Sequence, residues 1–301
     1  MQSICWTGRL LSRALRNGLS LSTLIDTNVK REPHFVSVVC GFPKDFSSAS
    51  LSRKGQFGDD AWFTAKNKCV DVIGVADGVG GWRAYGIDPG EFSSFLMKTC
   101  ERLVQVGKFK PNNPGNLLAR SYWELLEHKK PILGSSTACV VVLNRETSTV
   151  YTANIGDSGY MVVRAGVVVH RSSEQQHYFN TPFQLSLPPP GHRHNVVSDR
   201  PESADTSTFQ VEDGDVILVA TDGVFDNVPD SVLLQELSKV QGLKDSVTLQ
   251  RTANTIAWMA RNLSFDGSYN SPFAKNAKKN GINIVGGKPD DITVLLATVV
   301  L

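Results

Sequence analysis

The sequence predicts an α+β fold in which antiparallel strands form a sandwich with helices outside it. Three observations support this prediction. Residues 136–171 form a dense run of apolar stretches separated by short turns, which is typical of a meander of hairpins. Helical patterns come in pairs, at residues 91–106 with 116–130 and at 231–240 with 248–263. Strands and helices therefore do not alternate one by one, as they do in parallel α/β folds.

The first half of the chain begins with two predicted strands. Residues 35–42 and 69–77 are rich in β-branched and apolar side chains, which favour strands. Residues 91–106 then place apolar side chains at helical spacing, which indicates an amphipathic helix. The second helix, residues 116–130, is expected to end at Pro131, because proline cannot continue a helix.

The second half contains two long segments without a clear period. Residues 172–208 are polar and proline-rich, and they are too long for a plain connection, so we expect a functional flap or partial disorder. An apolar stretch that ends at Asp222 indicates a buried strand. After the second pair of helices, residues 264–289 are predicted to form a loop, and residues 291–301 a final strand.

Composition excludes several classes of function. The chain has 301 residues and a formal net charge of only +2, without a basic patch that would suit a nucleic acid. It contains no apolar stretch of about 18 residues, so no membrane span is expected. Its five cysteines are widely spaced and lack a CxxC pair, which argues against a disulfide scaffold or a zinc ribbon. The oligomeric state stays open.

The amino terminus has the composition of a targeting segment. Residues 1–25 contain Arg9, Arg13 and Arg16, several serines and threonines, and no acid before Asp26. Such an Arg-rich, acid-poor amphipathic start resembles a mitochondrial transit peptide. We therefore expect residues 1–33 to be a transit peptide with a linker, and the protein to be located in the mitochondrial matrix. The alternative is an ordinary first helix.

Acidic residues recur where predicted strands begin or end. Two apolar strands end in an Asp-Gly pair, at Asp77 and at Asp222, although a buried unpaired carboxylate costs several kcal/mol. Further acid pairs flank apolar stretches at residues 59–60 and 290–291. If the sheets bring these edges together, divalent cations would offset the repulsion, and oxygen ligands favour Mg²⁺ or Mn²⁺. Two such ions sharing a hydroxide would hydrolyse phosphate esters.

Six sequence motifs, taken together and in their order along the chain, resemble those of a known protein family. They read GDDAWF, VADGVGG, GSSTACVVVL, ANIGDSGYMVV, VATDGVFDN and PDDITVLL, and they span roughly residues 35–301. With them the chain resembles the metal-dependent protein phosphatases of the 2C type. The phrases SSEQQHYFNTPFQL and GGKPDDITV are similar to the mitochondrial branch first described as the T-cell-activation type.

The resemblance implies a four-layer α/β/β/α sandwich over residues 34–301, with two antiparallel sheets and a dinuclear metal site at one edge. It also implies an enzyme, a protein serine/threonine phosphatase that hydrolyses phosphoserine and phosphothreonine in phosphoprotein substrates. The implied cofactors are two Mg²⁺ or Mn²⁺ ions, with a possible third ion.

The site residues follow from the resemblance position by position. Asp77 would bridge both ions, and Asp60 would bind a metal directly or through water, so these two are the predicted catalytic residues. Asp59 stands where the family usually has glutamate, and Asp291 stands where it usually has asparagine. The full predicted set of metal ligands is Asp59, Asp60, Asp77, Gly78, Asp222, Asp290 and Asp291, with Asp157 linked to a weaker third ion.

Three positions depart from the family pattern. The frequent histidine after Asp-Gly is Val79, and the position of the arginine that binds substrate phosphate is Gly55, so we expect Arg53 or Lys54 to bind phosphate instead. Gly159 replaces a further arginine. These departures leave two alternatives open, namely a catalytically weak binding or adaptor module with a phosphatase fold, and a phosphatase for a small metabolite.

Overall fold

The computed structural model describes residues 32–45, 54–192 and 196–301. All of them except Glu32 belong to one compact unit, Pro33–Leu301. The expected transit peptide lies almost entirely outside the described residues, so it stays a prediction.

Across these ranges, fifteen strands form two large antiparallel sheets and two small ones. In chain order they are β1 (His34–Phe42), β2 (Gln56–Phe57), β3 (Asp60–Lys66), β4 (Val70–Asp77), β5 (Gly134–Ser136), β6 (Ala138–Asn144), β7 (Thr149–Ile155), β8 (Gly159–Arg164), β9 (Val167–Arg171), β10 (Gln176–Tyr178), β11 (Thr181–Pro182), β12 (Leu185–Leu187), β13 (Asp205–Gln210), β14 (Val216–Ala220) and β15 (Ile292–Val300). One large sheet has the order β1-β15-β14-β8-β9, and the other has the order β13-β7-β6-β4-β3-β2. The small sheets pair β10 with β11 and β12 with β5.

In the described part of the chain, six α-helices lie outside the sheets. They are α1 (Pro89–Gln105), α2 (Pro114–Leu126), α3 (Asp222–Phe225), α4 (Asp230–Ser238), α5 (Ser246–Ser264) and α6 (Pro272–Lys279). Helices α1 and α2 pack on the six-stranded sheet, and α5 packs on β1 and β15 of the five-stranded sheet. A short 3-10 helix, Gly80–Tyr85, follows β4.

Three apolar cores separate the four layers of this unit. The first, between α1, α2 and the six-stranded sheet, includes Phe63 and Leu96. The second lies between the two sheets and includes Ile73, and the third, between the five-stranded sheet and α5, includes Leu218 and Ile256. The predicted α/β/β/α sandwich is confirmed.

Strand β4 shows why the strands of these sheets appear in the sequence as continuous apolar stretches. Val72 belongs to the core under α1 and α2, whereas Ile73 and Val75 point to the opposite face of the pleat and pack between the sheets. Both faces of the strand are thus buried, which removes the alternation of apolar and polar residues that a half-exposed strand shows.

Two segments differ from the sequence prediction. Residues 264–289 were expected to be a loop, which is wrong because they contain α6. The side chain of Ser271 accepts the Ala274 N–H, Pro272 occupies the first turn, and Ala274 and Ala277 are buried. Residues 172–208 contain β10, β11, β12 and part of β13, so the described part of this segment is folded.

Helix α2 ends earlier than expected. Its last residue is Leu126 and its C-cap is Glu127, although Pro131 was expected to set the limit. The polar residues after Leu126 have no apolar face to bury, so nothing extends the helix to the proline.

Within the described ranges, none of the helices combines the length and apolar character that a membrane crossing requires.

Candidate metal centre

The topology gathers carboxylates at one end of the sandwich. Antiparallel pairing of β3 with β4 places Asp60 directly opposite Asp77. Asp222 begins α3, immediately after β14, and Asp290 precedes β15, the strand that pairs with β14. Four residues that are far apart in the chain therefore reach the same edge.

The tightest group consists of Asp77, Asp157 and Asp222. One carboxylate oxygen from each lies within 4.8 Å of the others. Asp157 is held by the tight turn between β7 and β8, where Gly156 has a φ of +101°. A Cβ on Gly156 would lie 2.7 Å from the carbonyl oxygen of Phe183, so the turn requires glycine.

Backbone and hydroxyl contacts fix Asp77. Its N–H donates to Oγ1 of Thr137 over 3.1 Å, and its carbonyl oxygen accepts the Thr137 N–H over 2.9 Å. Oγ1 of Thr137 is also 2.7 Å from Oγ of Ser158, beside Asp157. This network ties the end of β4 to the turn that holds Asp157.

Gly78 is confined by neighbouring backbone. Its N–H donates to the carbonyl oxygen of Asp59 over 3.1 Å, and a Cβ would lie 2.6 Å from the carbonyl oxygen of Pro89. A side chain does not fit here, so the glycine lets the backbone of residues 77–78 approach the loop before β3.

Asp60 lies beneath the cluster and is 1% exposed. Its Oδ2 accepts hydrogen bonds from the hydroxyls of Thr221, over 2.7 Å, and Thr293, over 2.8 Å. Its Oδ1 is buried without a hydrogen-bond partner, as are Oδ1 of Asp157 and Oδ1 of Asp222. Buried polar atoms without partners are rare in folded proteins, and ion-binding sites are one setting in which they occur.

The negatively charged carboxylates of the cluster repel one another. Burial, together with the negative charges of Asp222 and Asp60, raises the pKa of Asp77 well above its usual range. Burial and neighbouring carboxylates likewise raise the pKa values of Asp60 and Asp157 well above the usual range. Burial and Asp222 raise the pKa of Asp290 to about 7. The site is therefore short of positive charge.

Lys288 supplies one positive charge. Its Nζ contacts Asp222, lies 2.8 Å from Asp226 and lies 3.5 Å from Asp290. Burial lowers the pKa of this amine, but the carboxylates outweigh burial and raise the pKa well above its usual range. Burial raises the pKa of Asp226 to about 6. Lys288 and Asp226 were not among the site residues predicted from the sequence, although they lie in the motifs GGKPDDITV and VATDGVFDN.

Asp59 and Asp291 make other contacts. The Asp59 carboxylate forms a two-pronged ion pair with the guanidinium of Arg83. The Asp291 carboxylate accepts the N–H groups of Lys44, over 2.5 Å, and Asp59, over 2.7 Å. These contacts hold the loop before β3 against the start of β15. Metal binding by Asp59 and Asp291 stays a prediction.

The cations nearest the cluster are not those that sequence analysis chose. Lys54 is exposed in a turn and does not line the cavity around the carboxylates, and Arg53 lies outside the described residues. This cavity of about 750 Å³ is instead lined by Lys44, Arg83 and Lys288. Arg83 lies on the 3-10 helix after β4, and no motif pointed to it.

The donor set fits hard divalent cations. Every group in the cluster is a carboxylate, three buried oxygens at the site lack partners, and burial together with mutual repulsion raises the pKa values of Asp77 and Asp157. Mg²⁺ and Mn²⁺ favour such oxygen ligands over the nitrogen and sulfur ligands that zinc favours. The residues present would therefore hold such ions.

Comparison with known proteins agrees with this geometry. The family model described as Protein phosphatase 2C matches residues 49–263. The chain is 54% identical to the Protein phosphatase PTC7 homolog of Danio rerio over 299 residues, which cover 99% of this chain and 98% of that protein. It is 53% identical to the Homo sapiens homolog over 300 residues, with the same two shares.

Solved structures share the fold. The structure of the photosystem II phosphatase PBCP is 26% identical, covers 88% of this chain and 98% of its own, and has a TM-score of 0.73. The catalytic domain of the serine threonine protein phosphatase PstP, solved with two manganese ions, is 13% identical and has a TM-score of 0.52 over 89% of this chain and 100% of its own. The chain thus belongs to the protein phosphatase 2C family and is a protein phosphatase.

Proposed function

We propose that this phosphatase depends on two Mg²⁺ or Mn²⁺ ions and removes phosphate from phosphoserine and phosphothreonine in proteins. The convergence of Asp77, Asp157 and Asp222 within 4.8 Å carries the proposal. The oxygen-only donor set and the two manganese ions of the related PstP domain support it.

The chain's residues would divide the work between metal binding and positioning. Asp77, Asp157, Asp222 and Asp290 would hold the ions, which supply a nucleophilic water of lowered pKa and neutralise charge on the phosphoryl group. Asp60 is fixed by the hydroxyls of Thr221 and Thr293, so its unpaired Oδ1 faces a constant direction. Holding catalytic groups in a fixed position lowers the activation barrier of the hydrolysis.

Arg83 would hold the substrate phosphate. It lines the same cavity as Asp77 and Asp222, and its side chain is 59% exposed. The pair with Asp59 fixes the guanidinium from one side and leaves further N–H donors for phosphate oxygens. Among the described residues, the lining of this cavity includes no histidine, so none of those lining residues offers an imidazole to protonate the departing serine or threonine oxygen.

A location in the mitochondrial matrix is part of the proposal. The arginine-rich, acid-poor pattern of residues 1–25 supports it, and those residues would direct import rather than catalysis.

Asp77→Asn and Asp222→Asn should each lower kcat on a generic phosphate ester with Mn²⁺ on the order of 100-fold, because each removes a charged ligand. Steady-state kinetics on purified, folded variants measures this. Asp213→Asn is the control and should keep normal turnover, because Asp213 is exposed and precedes β14, whereas Asp222 follows the other end of that strand. Near-normal rates in both site variants would refute the two-ion assignment.

Mn²⁺ should raise the Tm more at about pH 8 than at about pH 5.5. The raised pKa of Asp290, about 7, means that the metal-free fold retains a proton there and loses stability as pH rises from the ordinary pKa range of an aspartate through about 7. Ions bind the deprotonated carboxylates, so their stabilising effect grows over the same interval. Scanning calorimetry at both pH values tests this, and an equal Mn²⁺ effect at both would contradict it.

Arg83→Ala should raise KM for a phosphopeptide about tenfold, which corresponds to about 1.4 kcal/mol, while kcat changes less. The reason is the loss of phosphate contacts that form in the ground state and the transition state alike. Arg83→Lys, which keeps the charge, should recover part of the loss. An unchanged KM in Arg83→Ala would assign Arg83 to holding Asp59 alone.

Residues 1–33 fused to a fluorescent protein should direct it to mitochondria in living cells. Replacing Arg9, Arg13 and Arg16 together by glutamate should abolish import, because the basic face is lost. Arg31→Glu, outside the basic amphipathic stretch, is the control and should be imported normally. Diffuse fluorescence of the unaltered fusion would contradict the proposed location.

A further inference from the structure

A second cavity adjoins the carboxylate cluster. It has a volume of about 650 Å³ and shares Asp157 and Asp222 with the cavity that holds the proposed metal centre. Its other lining residues come from β9 and the residues after it, from the segment around α3 and from α6. We call this cavity the α6 groove. A phosphoryl group at the cluster would place the flanking polypeptide within reach of it.

Helix α6 contributes two lysines to the groove. Lys275 and Lys279 both line it and both are exposed. They are four residues apart, so they lie one turn apart on the same face of the helix. Ala274 and Ala277 are buried on the protein side. Lys278 is also exposed but does not line the groove.

The helix is attached directly to the candidate metal centre. The N–H of Phe273 donates to the carbonyl oxygen of Asp226 over 3.0 Å, and the Lys288 amine lies 5.4 Å from the centre of the Phe273 ring. The Ser271 hydroxyl donates to the carbonyl oxygen of Gly286 over 2.7 Å. These contacts fix the position of the two lysines relative to the carboxylates.

Apart from Asp157 of the carboxylate cluster, the other charged residues of the groove have partners. Arg171 pairs with Asp230, and Asp226 pairs with Lys288. Glu174 accepts a hydrogen bond of 2.6 Å from Nε2 of Gln176.

Lys275 and Lys279 differ from them, because across the described ranges neither forms an ion pair or a side-chain hydrogen bond. These two adjacent amines are positive charges along this wall of the groove, without a partner among the described residues. An acidic segment complements them.

We propose that the α6 groove binds the substrate polypeptide beside its phosphorylated residue, and that Lys275 and Lys279 select substrates with acidic residues there. The inference rests on the proposed function, since it assigns the substrate class of the same site. Two lysines at the groove wall would steer acidic segments and would bind them by charge pairing that salt screens.

The test compares phosphoserine peptides of identical core sequence that carry three Glu, three Gln or three Lys residues on one side of the phosphoserine. Both sides are tested in separate sets, with the full chain, Mn²⁺ and low salt. On one side, kcat/KM should be about tenfold higher for Glu than for Gln, and the ratio should shrink as salt is added. Lys279→Glu should lower this ratio, and Lys275→Glu with Lys279→Glu should reverse the order so that the Lys peptide is preferred.

Lys278→Glu is the matched control, because it makes the same charge change on the same helix outside the groove. It should keep the preference of the unaltered protein. Equal kcat/KM for the Glu, Gln and Lys peptides on both sides would overturn this inference alone, as would equal effects of Lys278→Glu and Lys279→Glu. Release of phosphate from none of the peptides would reject the proposed function and this inference with it. A reversed order cannot result from a misfolded variant.

Discussion

Mutual repulsion among buried carboxylates is the constraint on which the rest of this structure depends. Asp77, Asp157 and Asp222 point oxygens at one small volume, and Asp60 lies below them with almost no exposure. At an effective dielectric of about 20, two unit charges 4 Å apart repel by about 4 kcal/mol. Folding must therefore impose this arrangement, and bound protons or cations relieve the repulsion. Lys288 gives part of that relief within the chain itself.

Strand pairing, close backbone contacts and hydrogen bonds hold the carboxylates in this arrangement. Strand register puts Asp60 opposite Asp77, and glycines at 78 and 156 allow backbone approaches that a Cβ would block. The Thr137 hydroxyl accepts the Asp77 N–H, and the hydroxyls of Thr221 and Thr293 donate to Oδ2 of Asp60. These residues lie in or next to β4, β6, β7, β14 and β15, which are almost entirely buried. The apolar cores around these strands therefore offset the cost of gathering the carboxylates.

The sequence carried enough information to predict the layers and the main acids. Asp77 and Asp222 were identifiable because Asp77 ends an apolar strand and Asp222 follows one closely, and neither strand has another reason to be followed by a charge. Lys288 and Arg83 were not identifiable in this way. Each acts through a side chain that crosses to another element, and such contacts leave no period or spacing in the sequence.

Helix α6 was missed for a related reason. It has eight residues, and its only buried side chains are those of Ala274 and Ala277, so its apolar signal is weak. Its cap, in which the Ser271 side chain accepts the Ala274 N–H, was visible in the sequence as Ser-Pro, but that pair is equally common in loops. Lys275 and Lys279, which would select substrates, lie on an exposed surface beside the buried carboxylates. Hydrophobic patterns in a sequence carry little information about such exposed residues.

The most direct test of the two-ion centre is a crystal structure of the protein with Mn²⁺, with ions located by their anomalous scattering. Two peaks are expected in the cavity between β4 and α3, each about 2.2 Å from carboxylate oxygens, with Asp77 and Asp222 among the ligands. Anomalous peaks only elsewhere, with Asp77 and Asp222 contacting no ion, would contradict the assignment.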